Sequence, residues 1–446
     1  MNNRIVVIGA GIAGVATAHR LAVEHGAEVT IVDPRPPLTL TSDKSTECYR
    51  NWWPNQQMVG LMNRSIDLLE EMSERSGNVF GLSRRGYLFV TSREATLLSW
   101  QEQASAISSY GGGAVRLHND PSQYQPASPY GFEGEPDGID VFTTAESFRQ
   151  PFPYLTDEAV GAMHVRRAGW FSAQQLGSWM LDEAKAAGTI HLVDEVVAIE
   201  VEAGAITGVS LASGERITCS VVVNAAGPLA AGVAKLVDLD LPLRSEVHLK
   251  VAFRDHLGVI PREAPMLIWS DPQYLDWDGE ERAALAESGR SDVLGEMPVY
   301  CHGRPEGGGE SPYFLGLWEY HGEVRQPVWP VPEDILYPEV VARGLSTMIP
   351  GFGRYLDRLP QSSVDGGYYT KTPENLPLIG PAGPEGFHLA CGYSGFGVMV
   401  AAGAADLVSR HVTSSPLPQY ADSFLLTRYE YPGYLESVSK ADSGQL

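Results

Sequence analysis

The 446-residue sequence is short of cysteine, of positive charge and of long apolar runs, and each shortage closes off a class of function. Its four cysteines, Cys48, Cys219, Cys301 and Cys391, stand far apart with no C-x-x-C spacing, so they read as reduced cytoplasmic thiols. The 11 histidines include no H-E-x-x-H or H-x-H arrangement, and the Cys301-His302 pair alone cannot close a metal site. No metal is expected. Lysine and arginine number 32 against 55 acidic residues, a net charge of -23 that repels phosphate backbones and makes nucleic acid and anionic membranes poor partners. No run of about twenty apolar residues exists to span a bilayer, and the first strand begins too near Met1 to leave room for a cleaved signal. A soluble, cytoplasmic chain is expected.

What is present is core material, 43% of the residues being hydrophobic. Arg4 to Ile8 is a β-branched run, Ile12 to Glu24 has helical periodicity, and Glu28 to Val32 is a second β-branched run ending at Asp33, which together predict a βαβ unit. Met58, Leu61, Met62, Ile66, Leu69 and Met72 predict an amphipathic helix between Arg50 and Gly77. Strands are expected at Tyr87 to Thr91, Val193 to Val201, Ile206 to Leu211 and Val221 to Ala226, with a helix from Ser172 to Ala187. Near the end, a strand at Phe387 to Ala390 leads through a glycine turn into a helix from Val398 to His411. Gly111 to Pro153, rich in Gly, Pro, Asp and Ser with weak periodicity, reads as loops on a domain surface, and the irregular region Asp255 to Ser311 reads as substrate-domain loops.

The strongest motif is Gly9-Ala10-Gly11-Ile12-Ala13-Gly14, set between a strand and a helix. Gly9 permits the tight turn, Gly11 lets a pyrophosphate approach the backbone, and Gly14 lets helix pack closely on strand. The helix N-terminus then faces the phosphates with unpaired N–H groups. Asp33, closing the next strand, accepts hydrogen bonds from ribose hydroxyls and repels a 2′-phosphate, which disfavours NADP. This unit alone does not separate FAD from NAD. Two later segments do: VVVNAAG at 221–227, and PLIGP at 377–381 followed by GYSGFG at 392–397, whose helix N-terminus is suited to negative charge on a reduced flavin.

Jointly, VVIGAGIAG, GWFSAQQL, VVVNAAGP, TPENLPLIGP and ACGYSGFGVM resemble the D-amino acid oxidase, glycine oxidase and sarcosine oxidase superfamily of FAD enzymes, over nearly the whole chain. The resemblance implies an α/β architecture: a Rossmann-type FAD-binding domain built from discontinuous segments (1–80, 150–235 and 360–446) plus an antiparallel-sheet α+β substrate domain (81–149 and 236–359). It implies FAD contacts from Gly9, Gly11, Gly14 and Asp33, from Ser45, Thr46, Val196 and Gly227, and from Gly392, Ser394, Gly395 and Gly397. Their neighbours Ile12, Ala13, Pro34, Arg35, Ala226, Tyr393 and Phe396 join them, and Arg50 in CYRNWWP matches an arginine beside the flavin.

Three departures bear on chemistry. Gly367 stands where sarcosine oxidases attach the flavin through cysteine, so FAD is expected to be non-covalent. Tyr369 and Trp53 stand where relatives carry carboxylate-binding arginines. An aromatic wall of Trp53, Trp318, Tyr320, His321, Tyr369 and Tyr393 is therefore expected to grip a larger amine, each residue's other reading being core packing. In SEVHLKVAF, His248 and Lys250 alternate onto one face, where either is a candidate for proton handling. The implied activity is oxidation of a carbon–nitrogen bond in an amine or amino acid, with oxygen or an electron carrier as oxidant. The alternatives are a 2-hydroxy acid oxidase or dehydrogenase with His248 or His321 as base, and a non-catalytic flavoprotein.

Overall fold

The computed structural model describes residues 4–438. A six-stranded sheet runs in the order Leu378–Pro381, Phe387–Cys391, Val221–Asn224, Arg4–Ile8, Glu28–Val32, Ile190–Leu192, parallel except for its first strand. Strand alternation divides its side chains between two layers. Ile5 and Val7 face a core shared with the helices Ile12–His19, Ala173–Ala186 and Gly397–Val412, whereas Val6 and Ile8 face one shared with the meander Val196–Glu202, Ala205–Leu211, Arg216–Thr218. Burial on both faces explains why these strands read as unbroken apolar runs.

The second sheet has nine strands, ordered Ser362–Lys371, Arg244–Arg254, Tyr313–Leu317, Cys301–Glu306, Met266–Trp269, Tyr87–Thr91, Gly161–Val165, Ile139–Phe142, Val115–His118. It is antiparallel except for two parallel pairs, Met266–Trp269 with Tyr87–Thr91 and Val115–His118 with Ile139–Phe142. Helix Tyr337–Met348 packs its Val340, Val341 and Leu345 into the core that holds Val251, Phe253 and Phe314 of this sheet. Strands Gly161–Val165 and Ser362–Lys371 lie in ranges expected for the cofactor domain, yet both pair into this second sheet.

Local signals account for the helix ends. Asn55 caps Gln56–Ser76 by accepting from the Met58 amide, and Gly77 closes it at φ +67°. The helix expected over Ile12 to Glu24 runs as an α-helix to His19 and finishes as a π turn over Arg20–Glu24. The two regions expected as loops are corrected. Region 111–153 contributes buried Ile139, Val141, Phe142 and Phe148, and region 255–311 contributes the central strands Met266–Trp269 and Cys301–Glu306 and the helix Gly279–Glu287. Elements this short carry too few residues to express a period.

Candidate active site

A cavity of about 770 Å3 lies at the carboxyl ends of Arg4–Ile8, Glu28–Val32 and Val221–Asn224, where open parallel sheets place ligands. Its floor is the glycine turn. Gly9 has φ +109°, and a β-carbon there would come 2.5 Å from the Ala225 carbonyl oxygen. A β-carbon on Gly14 would lie 1.9 Å from the Gly9 carbonyl oxygen, so this glycine serves helix-to-strand packing and does not line the cavity. Gly11 differs: a β-carbon would meet only the Ser42 hydroxyl, at 3.3 Å, and would otherwise enter open space. The Ser42 hydroxyl also accepts from the Ile12 amide at 2.9 Å. Asp33 braces the turn, its two oxygens accepting from the Ala10 and Arg35 amides at 2.8 and 2.9 Å. A carboxylate has about four acceptor positions, so it keeps capacity for a ligand hydroxyl.

The opposite wall comes from the nine-stranded sheet. His248 and Lys250 both line the cavity, with Leu249 between them, together with Leu317 and Tyr369; Tyr393, from the turn after Phe387–Cys391, lines it as well. The His248 ring stacks on Tyr369, centroids 3.7 Å apart and planes 13° from parallel. Its Nδ1 lies 3.2 Å from Glu319 Oε1 and its Nε2 3.6 Å from Glu246 Oε2. Glu246 is itself held by Lys371 at 2.6 Å and Arg244 at 3.2 Å. Burial opposes ionisation of Glu246, but the neighbouring His248 and the bonded Lys371 prevail and bring its pKa down to about 2. Burial likewise opposes a charged His248, and here the Glu319 charge and the nearby Glu246 carboxylate win, so its pKa is raised. The Lys250 ammonium donates to the Ser45 carbonyl at 2.9 Å.

The sequence matches the model of the family described as DAO, FAD dependent oxidoreductase, over residues 4–411. The chain belongs to this family. It is an FAD-dependent oxidoreductase, and solved structures of related fold are similar along their whole length. L-proline dehydrogenase from P. horikoshii is 22% identical with a TM-score of 0.74, covering 96% of this chain and 98% of its own. Glycine oxidase from Geobacillus kaustophilus is 16% identical with a TM-score of 0.71, covering 96% and 99%. Fructosyl amine:oxygen oxidoreductase from Aspergillus fumigatus is 16% identical with a TM-score of 0.68, covering 100% and 93%.

The residues present in this DAO-family cavity fit FAD. The space above Gly11 is open, and the Thr41 hydroxyl, on the cavity wall, is buried with no hydrogen-bond partner among the described residues. The cavity brings together Gly9, Gly11, Ile12, Ala13, Asp33, Pro34, Arg35, Ser45, Thr46 and Val196 with Ala226, Gly227, Gly392, Tyr393, Ser394, Gly395 and Gly397. Phe396 and Arg50 lie outside its lining: Arg50 stacks on Trp53 at 4.2 Å and donates to the Trp52 carbonyl.

The expected aromatic wall is not assembled. Trp53 is 1% exposed, packed edge-on to Phe396, with its indole N–H on the Arg50 carbonyl. Trp318, also 1% exposed, follows Leu317 in sequence and points to the other face of the sheet, against Gly344. Tyr320 and His321 bond to the Asp334 carboxylate at 3.1 and 3.0 Å, away from the cavity. Only Tyr369 and Tyr393 of the six line it. Sequence reading missed Thr41, Ser42, Glu246 and Glu319. The first two sit in the polar run TSDKST, a signal that was there to be read; the glutamates act only through tertiary pairing.

Proposed function

We propose that the protein oxidises the carbon–nitrogen bond of an amine or amino acid. The observation that carries this reading is one continuous cavity joining the glycine turn and Asp33 to the His248–Lys250–Tyr369–Tyr393 wall. Bound flavin supplies the hydride acceptor, and the imine product hydrolyses in water. The chain's own residues bind and orient. Gly9, Gly11 and Asp33 hold the adenosine diphosphate half, and the 392–397 turn, opening the helix Gly397–Val412, supports charge at the flavin. Lys250 and Tyr369 border the reacting region and set where substrate lies. Anaerobic mixing with amines, amino acids and 2-hydroxy acids tests the reading: bleaching of the flavin by the nitrogen compounds supports it. Bleaching by hydroxy acids alone refutes it, and an inert flavin across all three leaves a structural cofactor. Parallel oxygen and dye assays identify the oxidant.

FAD attachment is non-covalent in this reading. Gly367 lines the cavity where a linking side chain would stand, and burial pushes the thiol that borders the cavity, Cys391, up to about 12, away from thiolate reactivity. The purified protein should be yellow, and acid precipitation should release FAD into the supernatant. Colour retained in the washed pellet would refute this. A cytoplasmic location is part of the same proposal and rests on four free, buried cysteines; no helix among the described residues is long and apolar enough to cross a membrane.

A single strand-associated G-x-G-x-x-G leaves no sequence signature for a second dinucleotide site. Micromolar NADH or NADPH should therefore leave the flavin oxidised over the time in which substrate bleaches it, and equal rates from the two sources would count against the proposal.

A further inference from the structure

We infer that Trp329 is a positioning residue of the cofactor site: it clasps Arg35 and thereby closes the segment 324–331 over the rim of the cavity, a gate that slows both the entry of FAD and its escape. The inference rests on FAD lying at the glycine turn and is independent of which substrate the flavin oxidises.

Two long stretches without helix or strand border the cavity, 33–47 and 318–336. Gln326 of one, and Pro34, Pro36 and Thr39 of the other, line the cavity while facing solvent, which places both stretches at its rim. Between them the Arg35 guanidinium lies 5.8 Å from the centre of the Trp329 ring, within the range of a cation–π contact. Arg35 is available for this role. Its amide donates to Asp33 Oδ1 at 2.9 Å, and its guanidinium enters no ion pair with a described residue, in a chain that carries 55 acidic residues. Arg35 also lines the cavity, so one side chain touches both the ligand space and the segment that covers it.

The segment is hung on the nine-stranded sheet rather than packed into it. The Arg325 amide donates to the Ser245 carbonyl at 2.8 Å, and Val324 forms a single bridge with Glu246. Tyr368, 1% exposed, holds Val328 twice, its hydroxyl accepting from the Val328 amide and donating to the Val328 carbonyl, each at 2.9 Å. The Trp329 ring stands edge-on to the Tyr368 ring at 5.5 Å. Beyond these ties little is buried: no residue from 319 to 336 is fully buried, and Val324 and Val328 are 60% and 53% exposed. A stretch with so few buried contacts opens locally at small cost, and a loop this long in a compact domain ordinarily has a task. Opening it breaks the Arg35 contact. If FAD passes the rim only in the open state, the closed population reduces the association and dissociation rates by one common factor.

The test measures FAD exchange on the full chain. Trp329→Ala should speed FAD release about fivefold, the size of one cation–π contact, and speed uptake by the apoprotein by a similar factor, so the dissociation constant changes far less than either rate. Release is read from the recovery of free-flavin fluorescence on dilution, and uptake from its quenching. Tyr368→Phe keeps the ring, drops both bonds to Val328, and should act in the same direction. In an Arg35→Gln background, Trp329→Ala should lose most of its effect, because the two side chains form one contact. Hydrogen exchange at the Arg325 and Val328 amides should be faster in Trp329→Ala than in the wild-type holoprotein, while helix Gly279–Glu287 exchanges alike in both. Faster release with unchanged uptake would make Trp329 a plain contact and overturn the gate, as would two rates within about twofold of wild type, less than such a contact supplies. Should Gly11→Val keep its FAD, the placement at the glycine turn has failed and the inference falls with it.

Discussion

Gly11→Val should give a folded protein that has lost its FAD. At Gly11 the backbone is extended, φ -72° and ψ 179°, a conformation open to any residue, and the only atom near an added β-carbon is the rotatable Ser42 hydroxyl. The scaffold can therefore accept valine. The ligand cannot, because the new methyls occupy the space through which a pyrophosphate meets the backbone. Gly14→Val serves as the contrast. Its β-carbon would strike the Gly9 carbonyl at 1.9 Å, a clash with backbone that forces helix Ile12–His19 off the sheet and should cost folding itself. Circular dichroism with flavin absorbance separates the two: native helix content with under about a tenth of the wild-type flavin for Gly11→Val, and loss of soluble protein for Gly14→Val. Wild-type flavin content in Gly11→Val would remove the basis for placing the cofactor at this turn.

The cofactor end was legible in the sequence because its signals are local. A turn, a helix start and a strand-closing acid fall within thirty residues, and each residue type has one steric or electrostatic task there. The His248 and Lys250 pairing was legible for a similar reason, since period-two alternation survives whatever sheet the strand joins. Which face Trp318 and Tyr320 take was not legible: it depends on helix Tyr337–Met348 covering one side of the sheet, a fact set by tertiary packing. The four-residue strand Met266–Trp269 was invisible because its flanks are turn-rich and its partners, Tyr87–Thr91 and Cys301–Glu306, are remote in sequence. Arg304 illustrates the limit most sharply. It lies in a stretch that read as loop, and its principal partner is 258 residues away.

Arg304→Met should destabilise the apoprotein by about 3–5 kcal/mol and weaken FAD binding at least tenfold. The side chain is 1% exposed and lies over the Trp170 ring at 5.1 Å. Its Nε and Nη2 both donate to the Thr46 carbonyl, at 3.0 and 2.7 Å, and it forms ion pairs with Glu47 and Glu306. Methionine fills similar volume but leaves those carboxylates uncompensated and removes both donors from Thr46. Thr46 and Ser45 line the cavity, and Ser45 is tied to the same sheet by Lys250, so the segment behaves as a strap drawn onto the cofactor wall by two cations. Arg304→Lys should rescue little, because one ammonium cannot reproduce a fork that grips a carbonyl and two carboxylates together. Thermal unfolding of the apoprotein reads the structural part alone, since bound ligand adds its own stabilisation, and FAD titration reads the strap. If the midpoint falls while the FAD dissociation constant stays at the wild-type value, Arg304 supports the core without shaping the cofactor site, and the strap has to be attributed to Lys250 alone.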